Sequence, residues 1–404
     1  MTIIHDSGRR AVDPTRAHAK EQTPKDRGTR VLGLGTALPA HRLSREMALR
    51  FALDRLPDRQ ADLSWIARRY DRSGVDARFT CLSPEAAAAS EFDLPSIEEF
   101  FQRASSPADK GPSTAERMAL YERCAPPLIE RAVSSAIASA GLDAHEITHL
   151  ITTTCTGFFS PGLDHLLIDR LGLHESVQRV QVGFMGCHAA INGLGVAEAL
   201  ASREAGARVV LACVELCSLH FQYDACREQV VANALFGDGA AAAVVGQPGE
   251  QRVGTASDHV SIRILGRWSH VLPGTREAMS WRVTDHGFRM TLKPEVPGLL
   301  QGCLHEGLLD RWLAVHGLNR KEVSGWAVHP GGPRVLDAVE GALSLPSEAL
   351  SVSREILLSH GNMSSPTILF ILRALMASGV RGHTVLMAFG PGLTLELALV
   401  HIEG

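Results

Sequence analysis

The chain has 404 residues, of which 45% are hydrophobic, and this is enough apolar surface for one large or two medium globular domains. Forty basic residues against 44 acidic ones give a formal net charge of −4, which argues against a nucleic-acid partner recognised through bulk charge. No run reaches the roughly 18 uninterrupted apolar residues of a membrane-spanning helix. We therefore expect no integral membrane association.

Residues 1–30 mix Arg, Lys, Asp, Glu, Pro and Gly without an apolar core, which matches neither a secretory signal nor an acid-poor transit peptide. We predict a flexible, solvated tail. Eight cysteines are too few for a disulfide scaffold, and no Cys-x-x-Cys pair suggests structural zinc. These features favour the reducing cytoplasm and predict no metal site.

Residues 82–114 are rich in Ala and Ser with scattered acids, which predicts a surface insertion that contains a helix. An amphipathic helix at about 120–140 and a short apolar strand at 148–154 follow. After a glycine-containing loop and another helix, a second strand is predicted at 209–214. About twenty residues then intervene before the next apolar segment, and such insertions often determine specificity.

The second part of the chain repeats this order, with a helix predicted at about 296–316 and strands at 325–328 and 384–389. Gly141-Leu-Asp-Ala-His-Glu-Ile matches Gly317-Leu-Asn-Arg-Lys-Glu-Val without a gap, at an offset of 317 − 141 = 176 residues. Strands that alternate with helices predict an α/β fold made of two duplicated halves, residues 31–246 and 247–404. The crevice between two such copies is where a ligand site is expected.

Three residues near this crevice could take part in catalysis. Cys187 begins a helix of small residues, where free N–H groups and the macrodipole favour the nucleophilic thiolate; a buried core cysteine is the alternative. His329 ends an apolar strand, where it could instead be a structural histidine. Asn362 lies within one residue of the position equivalent to Cys187, where it could also be a helix cap. Together a thiol, an imidazole and a carboxamide suggest acyl transfer through a thioester, with donors for an oxyanion or enolate.

Several motifs in a fixed order resemble those of the type III polyketide synthases, the chalcone synthase-like family of the thiolase superfamily. They extend over residues 31–404 and comprise Thr154-Cys-Thr-Gly-Phe-Phe-Ser-Pro-Gly-Leu-Asp, Gly186-Cys187, Ala234-Leu-Phe-Gly-Asp-Gly-Ala-Ala, Trp326-Ala-Val-His-Pro-Gly-Gly-Pro, Gly361-Asn-Met-Ser-Ser and Phe389-Gly-Pro-Gly-Leu-Thr. The resemblance implies a thiolase-like fold with five αβαβα layers. It also implies a homodimer that uses CoA thioesters and needs no metal or redox cofactor.

The resemblance further implies that Cys187 holds the starter and the growing chain, while His329 and Asn362 bind malonyl-CoA and promote its decarboxylation. Phe236 matches the phenylalanine between the CoA tunnel and the reaction cavity, although a plain core aromatic is the alternative. Ser364 falls on a position that lines the cavity. The arginines of the segment that starts at Trp65 match CoA-binding positions, although exposed helix arginines are often only solvated; these are Arg68 and Arg72.

The sequence departs from the plant enzymes at positions that line the cavity. Cys155 and Cys217 replace threonines, His220 occupies a third such position, and Trp281 replaces a small glycine. Ser160 stands where plant enzymes extend a methionine into the partner subunit. These differences argue against a flavonoid product.

Three segments resemble the bacterial branch that makes alkylresorcinols and alkylpyrones from long fatty acyl starters: residues 220–222, 272–281 and 292–297. We therefore expect condensation of a long-chain acyl-CoA with several malonyl-CoA units, with an acyl carrier protein as a further potential starter donor. A β-ketoacyl synthase that stops after one extension is the nearest alternative. A catalytically inactive acyl-binding homologue is another, but Cys187, His329 and Asn362 are all present.

Overall fold

The computed structural model describes residues 28–56, 62–84, 94–248 and 261–404. Residues 1–27 of the predicted tail lie outside these ranges. Residues 249–260, which follow the expected boundary between the halves at 246/247, also lie outside them. The first half contains β1 (Arg30–Ala37), β2 (His41–Ser44), α1 (Arg45–Asp54), α2 (Leu63–Asp71), β3 (Ala77–Thr80), α3 (Ile97–Phe100), α4 (Thr114–Ser139), β4 (His149–Thr154), α5 (Leu163–Leu171), β5 (Gln178–Gly183), α6 (Ala189–Arg203), β6 (Arg208–Leu216), α7 (Arg227–Leu235) and β7 (Asp238–Gly246). The second half contains β8 (Ile262–Val271), β9 (Met279–Thr284), β10 (Gly287–Leu292), α8 (Val296–His305), α9 (Leu308–Val315), β11 (Val323–Val328), α10 (Pro333–Leu343), α11 (Ser351–His360), α12 (Thr367–Ala377), β12 (Gly382–Gly390) and β13 (Thr394–Ile402).

Four strands of each half have the same arrangement, as the sequence repeat predicts, and the first half adds the edge strand β5. The first half-sheet has the order β1-β7-β6-β4-β5 and the second has the order β8-β13-β12-β11. In both, the first pair of repeat strands is parallel (β4 with β6, β11 with β12), whereas the next pairing is antiparallel. Gly141 and Gly317 both have positive φ, at 66° and 73°, which explains why the repeat retains glycine there.

A short pairing of β1 with β8 joins the half-sheets into one nine-stranded sheet. Only Arg30 with Arg263 and Val31 with Ile262 are in register across this junction. The sheet therefore continues from one half into the other through a contact of two residues on each strand.

Three cores place the helices in layers on the two half-sheets. The central core contains apolar side chains of α6 and α12 together with strands of both halves. A second core packs α4 and α5 on the first half-sheet, and a third packs α8, α9 and α10 on the second. The order is therefore helix, sheet, helix, sheet, helix, which is the five-layer thiolase-like fold that the sequence predicts.

Several predicted elements differ in extent from those of the structure. The helix expected at 296–316 is two helices, because Gly307 has φ 71° and ends the first one. Within the described part of residues 82–114 the predicted helix is the four-residue α3. The β9–β10 hairpin and the edge strand β5 had not been predicted. Among the described residues no helix combines the length and the apolar character that crossing a membrane would require.

Candidate active site

A tight turn between β5 and α6 holds Cys187 at the junction of the two halves. Phe184 and Gly186 have φ of 57° and 79°, and Cys187 lies in a short 3₁₀ helix that leads into α6. A Cβ on Gly186 would lie 2.6 Å from Cδ of Pro391, which belongs to the Gly-Pro-Gly turn of the second half. Gly186 is therefore needed for both the positive φ and the close contact between the halves.

Cys187 is buried, with 7% of its surface exposed. Burial raises the pKa of its thiol to about 11, and the nearby carboxyl of Glu215 also raises it, whereas hydrogen bonds from Ser364 and Asn362 act in the opposite direction. The expectation that the helix N-terminus favours a thiolate is wrong, because desolvation outweighs the local donors. A thiolate at Cys187 needs an additional partner or a base.

The backbone of Asn362 fixes the orientation of its side chain. Its N–H donates to the carbonyl of Leu235 at 2.9 Å and its own carbonyl accepts from the N–H of Gly237 at 3.0 Å, so Asn362 forms a bridge with Phe236. Its Oδ1 accepts a 2.7 Å hydrogen bond from the N–H of Ser364, which has φ 57°. The amide oxygen is thereby occupied, and the Nδ2 donor remains for the thiol or a ligand.

His329 follows β11 and is completely buried. Its backbone N–H donates to the carbonyl of Met387 at 2.8 Å, while neither ring nitrogen has a hydrogen-bond partner within the described ranges. Burial lowers the pKa of His329 to about 3, and the charge of His188 acts in the same direction. Because His188 directly follows Cys187, His329 lies within electrostatic reach of the turn that bears the thiol.

Glu215 lies beneath this cluster and had not been identified from the sequence. It is fully buried on β6 and accepts hydrogen bonds from the Cys155 N–H at 2.9 Å, the Thr156 hydroxyl at 2.7 Å and the Ser365 hydroxyl at 2.7 Å. Burial raises the pKa of this carboxyl, and the hydrogen bonds counteract part of that change. Its donors come from both halves of the chain, so no local motif could have indicated the contact.

The remaining predicted cavity residues form one wall. The Trp281 indole donates to the carbonyl of Cys155 at 2.7 Å, and the Cys155 Sγ lies 3.5 Å from the Ser364 hydroxyl. His220 donates from Nε2 to the Thr156 carbonyl at 2.7 Å and accepts the Phe288 N–H at Nδ1 at 3.0 Å. This pattern requires a neutral imidazole, and burial lowers the pKa of His220 to about 3.

Residues at the C-terminal end of α7 line two cavities. The first is lined mainly by apolar side chains and includes Cys217, His220, Phe236 and Trp281, but not Cys155. The second, of about 440 Å³, is an open cleft lined partly by the loop that follows His329. Residues 234 and 235 line the cleft whereas Phe236 lines the first cavity, so the end of α7 separates the two spaces.

Basic side chains surround the mouth of this cleft. Arg69, Arg72 and Arg227 are among its lining residues. The sequence had pointed to Arg68 and Arg72, but Arg68 does not line the cleft, and its guanidinium lies 3.9 Å from the carboxylate of Asp62. Arg69 instead lies over the Trp65 ring at 5.0 Å.

The thiol cluster contains the kinds of side chain that acyl transfer uses. Nowhere in the described ranges do three or more His, Cys, Asp or Glu side chains gather as a metal site would require. All eight cysteines lie within the described ranges, and none is in a disulfide. A thiol whose pKa is influenced by an amide and a hydroxyl, together with an imidazole that has no hydrogen-bond partner among the described residues, is a set of groups suited to form and cleave thioesters.

Solved structures with this architecture are type III polyketide synthases. PKS-I from the brown alga Ectocarpus siliculosus aligns with a TM-score of 0.84 and 27% identity, over 94% of this chain and 100% of that one. The C-terminal type III polyketide synthase domain of Steely1 from Dictyostelium aligns with a TM-score of 0.79 at 23% identity, over 93% of this chain and 99% of the other. The fold and the thiol site together define a thiolase-fold acyltransferase.

Sequence comparisons identify the family. The family model for chalcone and stilbene synthases, N-terminal domain, matches residues 17–248, and the C-terminal domain model matches residues 265–403. A 1,3,6,8-tetrahydroxynaphthalene synthase from Streptomyces peucetius subsp. caesius is 34% identical over 388 residues, 94% of this chain and 95% of the relative. A bisdemethoxycurcumin synthase from Oryza sativa subsp. japonica is 34% identical over 303 residues, 72% and 74% of the two chains. The chain belongs to the chalcone and stilbene synthase family, the type III polyketide synthases, which condense malonyl-CoA units.

Proposed function

We propose that this enzyme condenses a long-chain fatty acyl-CoA starter with several malonyl-CoA units and cyclises the product to an alkylresorcinol or alkylpyrone. In the first step the Cys187 thiol loses its proton to the His329 imidazole and attacks the acyl-CoA carbonyl. The new Cys187 thioester forms as the bond to the CoA sulfur breaks, and the CoA thiolate takes up the proton from His329. Because the pKa of the Cys187 thiol is raised and that of His329 is lowered, the proton moves while the thiol attacks the carbonyl and not in a separate earlier step.

Extension then uses malonyl-CoA in the same site. The thioester oxygen of malonyl-CoA accepts hydrogen bonds from His329 and from the Nδ2 of Asn362, whose Oδ1 is held by Ser364. Loss of CO₂ leaves the bonding electron pair as an enolate, which attacks the Cys187 thioester and releases the Cys187 thiolate. The electrons for the new carbon–carbon bond come from the carboxylate that is lost, so the reaction as proposed needs no metal or redox cofactor.

The observation that supports an alkyl starter is the lining of the first cavity, which includes Phe236, Trp281, Phe221, Phe51 and Ile97. Its volume is about 60 Å³, so a long chain has to displace some of these side chains when it binds. Its surface is largely apolar, which favours burial of methylene groups at about 0.8 kcal/mol each. Cys217 and Trp281 lie at its inner end, close to Cys155 and the thiol site.

The basic cleft is the proposed entrance for CoA. Arg69, Arg72 and Arg227 offer charge-assisted hydrogen bonds to phosphate groups, and the loop after His329 leads from the cleft to the thiol site. The same arginines would suit the acidic surface of an acyl carrier protein, which we propose as a second starter donor. Competition between the two donors for loading of Cys187 would test this.

We also propose a homodimer formed through the edge strand β5. This strand is the last in the sheet, and exposed apolar side chains lie in it and beside it: Val180 at 37%, Phe184 at 42% and Phe158 at 50% exposure. Phe158 stacks on Phe288 with ring centroids 6.0 Å apart, so a second copy would also cover the outer side of the cavity wall. Light scattering should give twice the chain mass for the wild type and the monomer mass for Val180→Asp. A monomeric wild type would contradict the proposal.

A cytoplasmic location is proposed from the unpaired cysteines.

Product analysis tests the proposed reaction. Purified enzyme is incubated with malonyl-CoA and short, aromatic or long acyl-CoA starters, and products are identified by mass spectrometry, with Cys187→Ala as the inactive control. Long-chain resorcinols or pyrones are expected. An uncyclised β-ketoacyl thioester would indicate the single-extension synthase, and no condensation with any starter would indicate an acyl-binding homologue. Products from malonyl-CoA alone, or only from short or aromatic starters, would retain the family and refute the long-chain starter.

A further inference from the structure

A buried arginine, Arg78, binds the C-terminal end of α7, which is followed directly by Phe236. Arg78 on β3 has 4% of its surface exposed and no carboxylate within ion-pair distance among the described residues. Its Nη1 donates to the carbonyls of Asn233 at 2.6 Å and Phe236 at 3.1 Å, and its Nη2 donates to the carbonyl of Ala234 at 2.6 Å. A cation at this place also interacts favourably with the helix dipole.

Arg78 and Asn362 together bind the free carbonyls of this helix end. The last carbonyls of a helix lack intrahelical partners. Here Arg78 binds those of Asn233 and Ala234, and the backbone N–H of Asn362 binds that of Leu235 at 2.9 Å. The turn with Phe236 and the segment with Asn362 are therefore two parts of one hydrogen-bonded unit.

Gly237 and Gly361 both pack closely against Arg78. A Cβ added to Gly237 would lie 3.1 Å from the Arg78 Cβ and 2.7 Å from the carbonyl oxygen of His360. One added to Gly361 would lie 3.4 Å from the same Cβ and 2.9 Å from the carbonyl oxygen of Leu235. The residue after Phe236 and the residue before Asn362 thus both contact β3 at Arg78.

We propose that Arg78 is a positioning residue that sets the place of Asn362 relative to Phe236, and thereby the geometry of malonyl-CoA decarboxylation. This inference depends on the proposed role of Asn362. Cys187 lies on a separate turn that Arg78 does not bind, whereas Arg78 itself lines the first cavity, so loss of its hydrogen bonds affects decarboxylation and leaves loading of the thiol unchanged only for a short starter that does not enter that cavity. A small displacement of a catalytic donor is sufficient to lower a rate by orders of magnitude.

Arg78→Lys keeps the charge but cannot bind three carbonyls in the same geometry. We expect its kcat for malonyl-CoA decarboxylation to fall roughly tenfold or more, with KM little changed and single-turnover acylation of Cys187 by acetyl-CoA, whose chain is too short to fill the first cavity, at the wild-type rate. Prematurely released, less extended products should increase, because Phe236 shifts together with Asn362. The matched control is Arg55→Lys. Arg55 is also buried and donates to backbone carbonyls, those of Phe101 at 2.7 Å and Phe51 at 3.3 Å, and it should lose stability without loss of decarboxylation.

Decarboxylation at the wild-type rate in Arg78→Lys overturns the inference, and so does an equal loss of loading and decarboxylation. If Arg78→Lys does not fold, Arg78→Gln replaces it, and failure of both to fold also overturns the inference, because Arg78 is then required for the fold itself. If the proposed function is wrong, the wild type itself does not decarboxylate malonyl-CoA. This result differs from the outcomes that test Arg78, because they all compare a variant with an active wild type.

Discussion

The indole Nε1 of Trp281 donates a 2.7 Å hydrogen bond to the backbone carbonyl of Cys155, and this bond connects the β9–β10 hairpin to the loop after β4. The bulk of the ring narrows the first cavity, which Trp281 lines. Trp281 therefore contributes both a hydrogen bond and steric bulk, and substitutions can separate these two contributions.

Trp281→Ala should enlarge the cavity and shift the preferred starter to a longer or bulkier acyl chain, because the indole volume becomes available. Trp281→Phe is the matched control, since it removes the hydrogen bond and retains most of the bulk. Competition among acyl-CoA starters, followed by mass spectrometry of the products, measures the shift. An identical starter profile for wild type and Trp281→Ala would mean that the acyl chain does not occupy this cavity.

The pKa of the Cys187 thiol, raised to about 11, predicts how alkylation depends on pH. The thiolate fraction of the free enzyme is small at neutral pH, so the rate of iodoacetamide labelling should rise roughly tenfold per pH unit between pH 7 and pH 9. Peptide mass spectrometry should find Cys187 labelled before Cys155 and Cys217, because burial raises their thiol pKa values even further. A plateau below pH 8 would instead reveal a preformed thiolate paired with His329.

Asn362→Ala should lower malonyl-CoA decarboxylation by roughly 10²-fold or more, on the scale of losing one oxyanion donor. Asn362→Asp separates the two functions of the amide, because it retains the acceptor for the Ser364 N–H but has no Nδ2 donor. Both variants should therefore be slow, while acylation of Cys187 continues. The loss of ¹⁴CO₂ from labelled malonyl-CoA reports the rate, and wild-type rates in both variants would exclude the donor role.

His220 and His329 should remain neutral throughout the physiological pH range. Burial lowers both pKa values from 6.5 to about 3, so histidine NMR signals assigned through His220→Gln and His329→Gln should not titrate between pH 5 and pH 8. Because the folded-state pKa values lie below the unfolded value, the stability from these groups is complete above pH 6.5 and is lost as the pH falls towards 3. A midpoint near 6.5 at either site would contradict the hydrogen-bond pattern of His220 and the burial of His329.

Glu215→Leu should destabilise the fold, because it leaves the backbone N–H of Cys155 buried without its acceptor. We expect a loss of about 1–3 kcal/mol in the free energy of unfolding for this group. Glu215→Gln is the control, since its amide oxygen can accept from Cys155 while its NH₂ faces the Ser365 hydroxyl. Urea denaturation at constant pH measures both variants, and equal stability of Glu215→Leu and wild type would show that the Cys155 N–H finds another acceptor.

The sequence was most informative where local pattern and chain order determine the outcome. The repeat offset predicted two matching half-sheets. The equivalent positions of Cys187 and Asn362 predicted that they would lie at one crevice, and Asn362 is among the groups that influence the pKa of the Cys187 thiol. Their catalytic roles and that of His329 remain predictions. Arg68 and Arg69 are adjacent in the sequence, but only Arg69 lines the cleft. Which of the two faces the cleft depends on the rotation of α2 about its axis, and the sequence alone does not define this rotation.

Contacts assembled from distant segments could not be predicted in this way. Glu215 collects donors from the loop after β4 and from the second half, and Arg78 binds a helix end more than a hundred residues away in the chain. The ionisation of Cys187 was predicted in the wrong direction, because a helix N-terminus is visible in the sequence whereas the amount of solvent excluded around the thiol is not.

The pairing of β1 with β7 has a consequence for synthesis of the chain. Arg30 pairs with Gly246, which follows 246 − 30 = 216 residues later. At a synthesis rate of about 5–20 residues per second, β1 waits roughly 10–40 s on the ribosome before its partner strand exists. A strand at the centre of the finished sheet is thus made well before the strand that pairs with it, and its apolar residues need protection from aggregation during that interval.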